Sequence, residues 1–210
     1  MSFFRYVKSY LKKRDTFRTS DCQQRKKRIK YKDARCLLYR RYTKGRDYSW
    51  VLKMKEQKTL VEKILDQKKI PHESYSYDNS QAFDGVTVAK MIGKPAECVF
   101  KTLVCVGNKG NCVFVIPVEK ELDLKKAAKV SGQKYVEMIK QKELLPLTGY
   151  VHGGCSPIGM KKQFPTFIDS DCLNFESIVF SAGKIGRQVC LSVNDLKQLT
   201  GAQIFPVTKD

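Results

Sequence analysis

One of two sequence features that could do chemistry is a single lysine, Lys101. It interrupts an otherwise apolar run, residues 99–106, which has the composition of a buried strand. Strand alternation puts Lys101 on one face with Leu103 and Cys105, and Thr102 on the other. A buried ammonium group is costly unless it finds a partner or a polar ligand. Lys101 therefore either lines a polar binding site or is an edge lysine whose ammonium reaches water.

The second feature is a glycine-rich loop, residues 148–159. Gly153, Gly154 and Gly159 permit positive φ angles and close approach of a ligand to the backbone, while Pro157 stiffens the turn next to Ser156. Successive N–H groups in such a loop can form a concave site for a carbonyl oxygen or a phosphate. The spacing matches neither a hydrolase nucleophile elbow nor a Walker loop. The alternative is a plain chain reversal without a ligand.

Cys155 and His152, both in this loop, invite a thiol-nucleophile hypothesis. They are three residues apart in a flexible stretch, and no third group that would orient the histidine is evident. Ser156 is an equally weak candidate for a nucleophile. We therefore interpret the loop as a binding element and expect that Cys155 is not catalytic.

The elements that must position these residues follow from the apolar periodicity. Helical spacing predicts helices over 60–70, 86–92 and 124–131, and a last helix from about Asn194. Strands are predicted at 72–77, 99–106, 112–118, 166–168, 177–180, 188–193 and 204–205, with a hairpin joining the second and third. These elements predict one α+β domain with a mixed, strongly curved sheet flanked by helices.

Composition sets further limits. The chain has 210 residues, of which 40 are basic and 21 acidic, for a net charge of +19. It has neither a run of about 18 apolar residues nor the apolar region of a signal peptide, so a soluble, cytoplasmic protein is expected. The eight cysteines contain no Cys-x-x-Cys pair, and the chain has only two histidines. This pattern predicts reduced thiols, no metal site and no cofactor.

Most of the positive charge lies in the first quarter of the chain. Residues 1–53 contain 18 basic and 4 acidic residues, and few apolar ones. We expect a basic, largely disordered extension there and a globular domain over 54–210, since Met54 opens a well-formed globular sequence and could itself be the translation start. The alternative is a basic arm that binds nucleic acid.

The order of several motifs resembles that of the YbaK family. The motifs are Phe100-Lys101-Thr102-Leu103, Asp123-Leu124-Lys125-Lys126, Thr148-Gly149-Tyr150, Gly153-Gly154-x-Ser156-Pro157-x-Gly159, Pro165-Thr166-x-Ile168-Asp169 and Ser181-x-Gly183-Lys184-x-Gly186. YbaK proteins are free-standing aminoacyl-tRNA deacylases related to the editing domain of bacterial prolyl-tRNA synthetase. The resemblance covers residues 54–210 and no part of 1–53.

This resemblance implies a single α+β domain with a curved, barrel-like mixed sheet. It also implies that Lys101 is the essential residue, which holds the phosphate or carbonyl end of the aminoacyl-adenosine. The implied substrate-binding residues are Tyr77, Thr102, Gly153, Gly154, Ser156, Pro157, Gly159 and Ser181. Gln188 stands where some members carry an aspartate, so a role that needs a carboxylate there is in doubt.

The implied activity is clearance of mischarged tRNA, chiefly Cys-tRNA(Pro), with tRNA as the substrate and prolyl-tRNA synthetase as a candidate partner. In the mechanism proposed for YbaK proteins, the thiol of the substrate attacks its own ester and leaves as a thiolactone. Removal of alanine from the same tRNA is an alternative within this class. A non-catalytic basic RNA-binding protein is an alternative outside it.

Five lysines are candidates for tRNA binding. Lys125, Lys126 and Lys129 lie on one predicted helix, and Lys161 and Lys162 follow the glycine-rich loop. We expect them to form one basic face for phosphates. An ordinary solvated helix face is the alternative.

Overall fold

The chain folds around a hairpin of two long apolar strands. The computed structural model describes residues 57–78 and 84–209. The predicted extension over 1–53 and the predicted boundary at Met54 lie outside these residues. Within them, the strands are β1 Glu73–Ser76, β2 Phe100–Gly107, β3 Gly110–Pro117, β4 Val136–Met138, β5 Thr166–Asp169, β6 Ser177–Lys184, β7 Arg187–Ser192 and β8 Gln203–Phe205.

Four of the five α-helices in the described ranges begin at polar caps that the sequence supplies. The α-helices of the described ranges are α1 Leu60–Gln67, α2 Gly85–Met91, α3 Leu124–Val130, α4 Gln141–Thr148 and α5 Val193–Thr200. Side-chain oxygens of Thr59, Asp84, Asp123 and Ser192 accept backbone N–H groups at the starts of α1, α2, α3 and α5. Each bond satisfies a donor that the first turn of a helix leaves without a partner.

Two open sheets are present in the described part of the chain. The five-stranded sheet has the order β4-β2-β3-β5-β8, with antiparallel pairs around β2 and parallel pairs on both sides of β5. The other sheet is antiparallel, with the order β1-β7-β6. An isolated parallel bridge joins Val99 to Val179 of β6. The α+β class and the mixed sheet are confirmed, but "barrel-like" overstates the closure, because the strands form two open sheets.

Alternation along the strands divides most apolar side chains between a main core and a second core, and a third, smaller core contains Val99 and Val179. Phe100 and Val104 of β2 join Phe180 of β6 and residues of α1 and α5 in the main core. Cys105 of β2 lies on the opposite face of the five-stranded sheet, in a second core that α3 covers. The predicted hairpin and helices that place these residues are confirmed, and α4 and β4 were not predicted.

In the part of the chain that is described, no helix combines the length and apolar character needed to cross a lipid bilayer.

Candidate functional site

Strand register brings Lys101 and Ser181 to corresponding positions. Val99 and Val179 form a parallel bridge, so the residues two positions further along each chain are Lys101 and Ser181. Residues two apart in a strand share a face, and partners in a ladder project to the same side. Lys101 and Ser181 therefore project from the same side of the junction between the two sheets.

The same face continues across the antiparallel sheet. Ser181 is paired with Gln188 of β7, and Gln188 is paired with Tyr75 of β1. The hydroxyl of Tyr75 donates to the carboxylate of Glu73, and the ammonium of Lys94 lies 5.4 Å from the centre of the Tyr75 ring. The face is therefore a row of polar side chains.

Lys101 is half-buried, and among the described residues its ammonium has one hydrogen bond. Its Nζ donates to the carbonyl oxygen of Val118 at 3.0 Å, just beyond the end of β3. Burial lowers the pKa of the Lys101 ammonium, and the carboxylate of Glu121 partly opposes that shift. An ammonium has three donor hydrogens, so two remain for a ligand with carbonyl or phosphate oxygens.

Two buried polar atoms near this junction have no hydrogen-bond partner within the described ranges. They are the Oε1 atom of Gln188 and the Oγ1 atom of Thr102. Gln188 is 7% exposed and shares the face of Ser181. Thr102 lies on the other face of β2, toward the main core, as strand alternation predicts. A buried polar atom without a partner is costly, and such atoms often mark a binding site.

The glycine-rich loop contacts the turn between β6 and β7. A Cβ atom on Gly154 would lie 3.0 Å from the backbone nitrogen of Ile185, and Gly153 has a φ of +77° beside the same residue. The backbone nitrogen of Tyr77 donates to the carbonyl oxygen of Gly186 at 3.1 Å. The structure therefore gathers Tyr77, Gly153 and Gly154 around one turn, and Ser181 lies on the strand that leads into it.

The second half of the loop is held by Tyr150. The buried hydroxyl of Tyr150 donates to the carbonyl oxygen of Ile158 at 2.6 Å. Burial, with a contribution from Cys155, raises the pKa of Tyr150 to about 12, so the phenol remains a donor at neutral pH. A Cβ atom on Gly159 would lie 3.0 Å from this hydroxyl, and one on Gly183 would lie 2.7 Å from the ring. Both glycines are needed for close packing.

Ser156, Pro157 and Gly159 accordingly have packing roles in the described structure. Ser156 is fully buried, and its Oγ accepts from the backbone nitrogen of Ile158 at 3.4 Å. Pro157 is also buried. Their predicted contact with substrate stays a prediction.

Cys155 lies in the main core and is 7% exposed, whereas His152 is exposed. Burial raises the pKa of the Cys155 thiol to about 12. The thiolate is the nucleophilic form of cysteine, so this thiol is inert at neutral pH. The geometry therefore agrees with the interpretation that Cys155 is not a nucleophile.

The five lysines of the predicted basic face are carried by segments that pack on different cores. Helix α3, which carries Lys125, Lys126 and Lys129, packs on the second core through its two alanines. Lys161 and Lys162 belong to the loop whose apolar residues pack on the main core. A single basic face made of both groups stays a prediction. The Nζ of Lys126 also donates to the carbonyl oxygen of Thr208 at 2.9 Å. Sequence reasoning missed this division because it depends on which core each element covers.

Within residues 57–78 and 84–209, no three His, Cys, Asp or Glu side chains are grouped as metal ligands.

Sequence reasoning also missed the partner of Lys101. The carbonyl oxygen of Val118 lies one residue beyond β3, whose last residue pairs with Phe100. The register of the predicted β2–β3 hairpin could have indicated that Lys101 lies near Val118.

Comparison with known proteins gives consistent matches. The model of the aminoacyl-tRNA editing domain family matches residues 80–199. A protein of Enterococcus faecalis, EbsC, named as a candidate Cys-tRNA(Pro)/Cys-tRNA(Cys) deacylase, is 45% identical over 158 residues. That match covers 74% of this chain and 96% of the relative.

Solved structures have the same fold. A candidate trans-editing enzyme for prolyl tRNA synthetase is 26% identical, with a TM-score of 0.61, and the match covers 66% of this chain and 87% of that one. A second crystal structure, of a hypothetical protein, has a TM-score of 0.64 at 22% identity and covers 71% of this chain and 99% of that one. This second match supports the fold alone.

Proposed function

Because this chain belongs to the aminoacyl-tRNA editing domain family, we propose that it is a free-standing deacylase that clears mischarged tRNA, chiefly Cys-tRNA(Pro). The name of the Enterococcus faecalis relative and the description of the trans-editing structure support this substrate. The same description makes prolyl-tRNA synthetase a proposed partner. The cytoplasm is our proposed compartment, because the proposed substrate is a tRNA. No metal or organic cofactor is part of the proposal.

One observation carries the proposal: the half-buried Lys101 lies at the junction of the two sheets, on the same face as Ser181 and Gln188. Its remaining donors suit the oxygens of an aminoacyl-adenosine, and partial burial strengthens hydrogen bonds to them. The unpartnered Oε1 of Gln188 can accept a hydrogen bond from a substrate amino or hydroxyl group. The backbone at Gly153 and Gly154 lies beside the turn that follows Ser181 and can approach the ester closely.

In this proposal the enzyme supplies no covalent nucleophile. The thiol sulfur of the substrate cysteine attacks the ester carbon, and a sulfur–carbon bond forms as the carbon–oxygen bond to the ribose breaks. The thiol proton ends on the ribose oxygen, and the products are a thiolactone and free tRNA. Lys101 would stabilise the negative charge that develops on the carbonyl oxygen, and the pocket would hold the thiol near the ester. The inert Cys155 and the internally bonded Ser156 support this scheme.

The test is deacylation of Cys-, Ala- and Pro-tRNA(Pro) by the full-length protein and by Lys101→Met. Methionine keeps an apolar stem of similar length and removes the ammonium, so the variant should fold normally. Loss of an interaction that stabilises developing charge typically costs about 100-fold to 1,000-fold in rate. Lys197→Met, at an exposed position of α5, is the matched control and should keep full activity.

The panel also separates the alternatives. If the wild-type protein hydrolyses Ala-tRNA(Pro) faster than Cys-tRNA(Pro), the proposed substrate is wrong and the alanine ester takes its place. Absence of hydrolysis of all three esters by the wild-type protein would overturn the enzymatic proposal and favour an RNA-binding protein. Full activity of Lys101→Met would remove the role assigned to Lys101.

A further inference from the structure

Three sulfur-containing residues form one row across neighbouring strands of the five-stranded sheet. Cys105 of β2 is paired with Cys112 of β3 on one side and with Met138 of β4 on the other. Paired residues in an antiparallel ladder share a face of the sheet, so the three side chains lie together on the side of the second core. We call these residues the sulfur row. Six residues separate the two cysteines along the chain and the hairpin brings them together, so no short motif indicates the row.

The side chains of the row are close enough to share one metal ion. The Sγ of Cys105 donates to the Sδ of Met138 at 3.5 Å. Directly opposite residues of an antiparallel pair have Cβ atoms about 4.5–5.5 Å apart, so the Sγ atoms of Cys105 and Cys112 can reach a common point between them. With metal–sulfur bonds of about 2.3 Å, two sulfur ligands of one ion are at most about 4.6 Å apart. The spacing of the row therefore fits sulfur ligands of a single ion.

The ligand set of the row selects the metal. It consists of two thiols and one thioether, and among the described residues no His, Asp, Glu or further Cys completes a group of three with the two cysteines. Thiolate and thioether sulfur select Cu(I), zinc or iron–sulfur clusters. Structural zinc and iron–sulfur clusters take four protein ligands, and the row supplies three. The row therefore suits the monovalent copper ion.

Met138 connects the row to solvent. Cys105 and Cys112 are 0% and 1% exposed, whereas Met138 is 48% exposed on β4, at the edge of the sheet. Methionine is unbranched and flexible, so its side chain can move aside and admit an ion. At the other end of the row, the Nε2 of Gln133 donates to the Sγ of Cys112 at 3.4 Å. Such a bond favours the thiolate form, which is the form that binds metal.

We infer that the sulfur row binds one Cu(I) ion through the thiolates of Cys105 and Cys112 and the thioether of Met138. Binding releases the two thiol protons to solvent and transfers no electron, and the ion with its two thiolates carries one negative charge. The inference goes beyond the deacylase proposal and does not depend on it. Cys105 lies four residues from Lys101 along β2, about 13 Å away, so the ion would not touch the candidate site.

The test is anaerobic competition for Cu(I) between the full-length protein and bathocuproine disulfonate, a coloured chelator of this ion. The wild-type protein should remove Cu(I) from the chelator, and the double variant Cys105→Ala, Cys112→Ala should bind one ion fewer per chain. Cys155→Ala, Cys172→Ala is the matched control, because it removes two thiols that are buried in the main core. The control should keep the wild-type number of ions. Native mass spectrometry counts the ions on each chain.

Met138→Leu tests the thioether without changing the buried cysteines. Leucine is apolar and similar in volume, and the position is on an exposed edge strand, so the variant should fold as the wild type does. Its affinity for Cu(I) should fall by about 10-fold to 100-fold, the loss that is typical even of groups that only support a metal ligand. X-ray absorption of the copper-loaded wild-type protein should show sulfur alone around the ion. If the double alanine variant at Cys105 and Cys112 does not fold, Met138→Leu and the absorption spectrum decide the matter.

Three results would overturn the inference. A wild-type protein that leaves all Cu(I) on the chelator has no such site. Equal losses of bound ions in the two double variants would show that copper binds buried thiols wherever they lie. Unchanged affinity of Met138→Leu, or nitrogen or oxygen ligands in the absorption spectrum, would show that the sulfur row is only core packing.

Discussion

Glu62 connects α1 to the antiparallel sheet, and its removal should reveal how much that connection stabilises the fold. The Glu62 side chain is 2% exposed. One carboxylate oxygen accepts from the backbone nitrogen of Thr59 at 2.6 Å, and the other accepts from Arg187 at 2.9 Å. Ser74 of β1 also donates to this carboxylate. The group therefore joins α1, β1 and β7, next to the strand position of Gln188.

The magnitude follows from the pKa of this carboxyl. Burial alone would raise it, but the hydrogen bonds from Thr59, Ser74 and Arg187, with the positive charge of Arg187, lower the pKa from 4.5 to about 2. A lowered pKa means that the folded state prefers the charged form. The resulting stability is fully present above pH 4.5 and is lost as the pH falls toward 2. At about 1.4 kcal/mol per pKa unit, the contribution at neutral pH is about 3 kcal/mol.

The perturbation is Glu62→Gln, which keeps the shape and a hydrogen-bond acceptor but removes the charge. Urea unfolding of the full-length protein, followed by circular dichroism, should show a loss of about 3 kcal/mol at neutral pH. The difference from wild type should shrink steadily as the pH falls below 4.5. Glu121→Gln is the control, because Glu121 pairs with Lys209 at 2.6 Å but is 73% exposed. Solvent screens such a pair, so its loss should be much smaller.

Two results would refute this reasoning. If the two glutamine variants lose equal stability, burial of the ion pair contributes nothing beyond a surface contact. If the difference between wild type and Glu62→Gln stays constant between pH 5 and about pH 2.5, the charge of Glu62 is not the source of the stability.

Four further predictions concern the loop and the first quarter of the chain. Gly154→Ala should cost about 1–3 kcal/mol in urea unfolding and should slow deacylation, because its Cβ would lie 3.0 Å from the backbone nitrogen of Ile185. Gly153→Ala has space for the Cβ and should lose only the cost of its positive φ, about 1 kcal/mol. Cys155→Ala should keep single-turnover deacylation within about tenfold of wild type, and a trapped acyl-Cys155 adduct in mass spectrometry would contradict this. A chain shortened to begin at Met54 should fold and keep the wild-type turnover rate at saturating substrate. Its RNA binding should be weaker and less sensitive to salt. Insolubility of the shortened chain, or a large loss of turnover, would contradict this prediction.

Much of the fold could be predicted because it depends on local patterns. The β2–β3 hairpin and helices α1, α2, α3 and α5 each have apolar spacing within a single segment. Helix α4 was missed because it contains Pro146, and proline usually excludes a helix interior. Strand β4 was missed because three residues are too few to show alternation. These misses are local exceptions to rules that hold for the other elements.

The candidate site was only partly predictable. Lys101 could be identified because an ammonium group in an apolar strand needs a polar partner or contact with water in any fold. Glu62 and Arg187 are 125 residues apart, and no pattern within either segment indicates that they meet. Helix α3 and the loop with Lys161 and Lys162 pack on different cores, and this could not be predicted from charge alone. Contacts between distant segments are set by tertiary packing, and the sequence motifs do not indicate them.

The single bridge between Val99 and Val179 explains why the polar face lies where it does. In a regular ladder, pairing would continue to Lys101 and Ser181, and the backbones would be held together by hydrogen bonds. Pairing stops after one bridge, so β2 and β6 are not held together by backbone hydrogen bonds beyond it. Their side chains still project to the same side, and the space between them is not closed by a ladder. An apolar pair at Lys101 and Ser181 would fill such a junction as core, whereas a lysine and a serine leave donors that only a polar ligand can use. The same break in pairing that makes the sheets two rather than one therefore leaves Lys101 and Ser181 outside any ladder, and a substrate site at this place is the role that we propose for them.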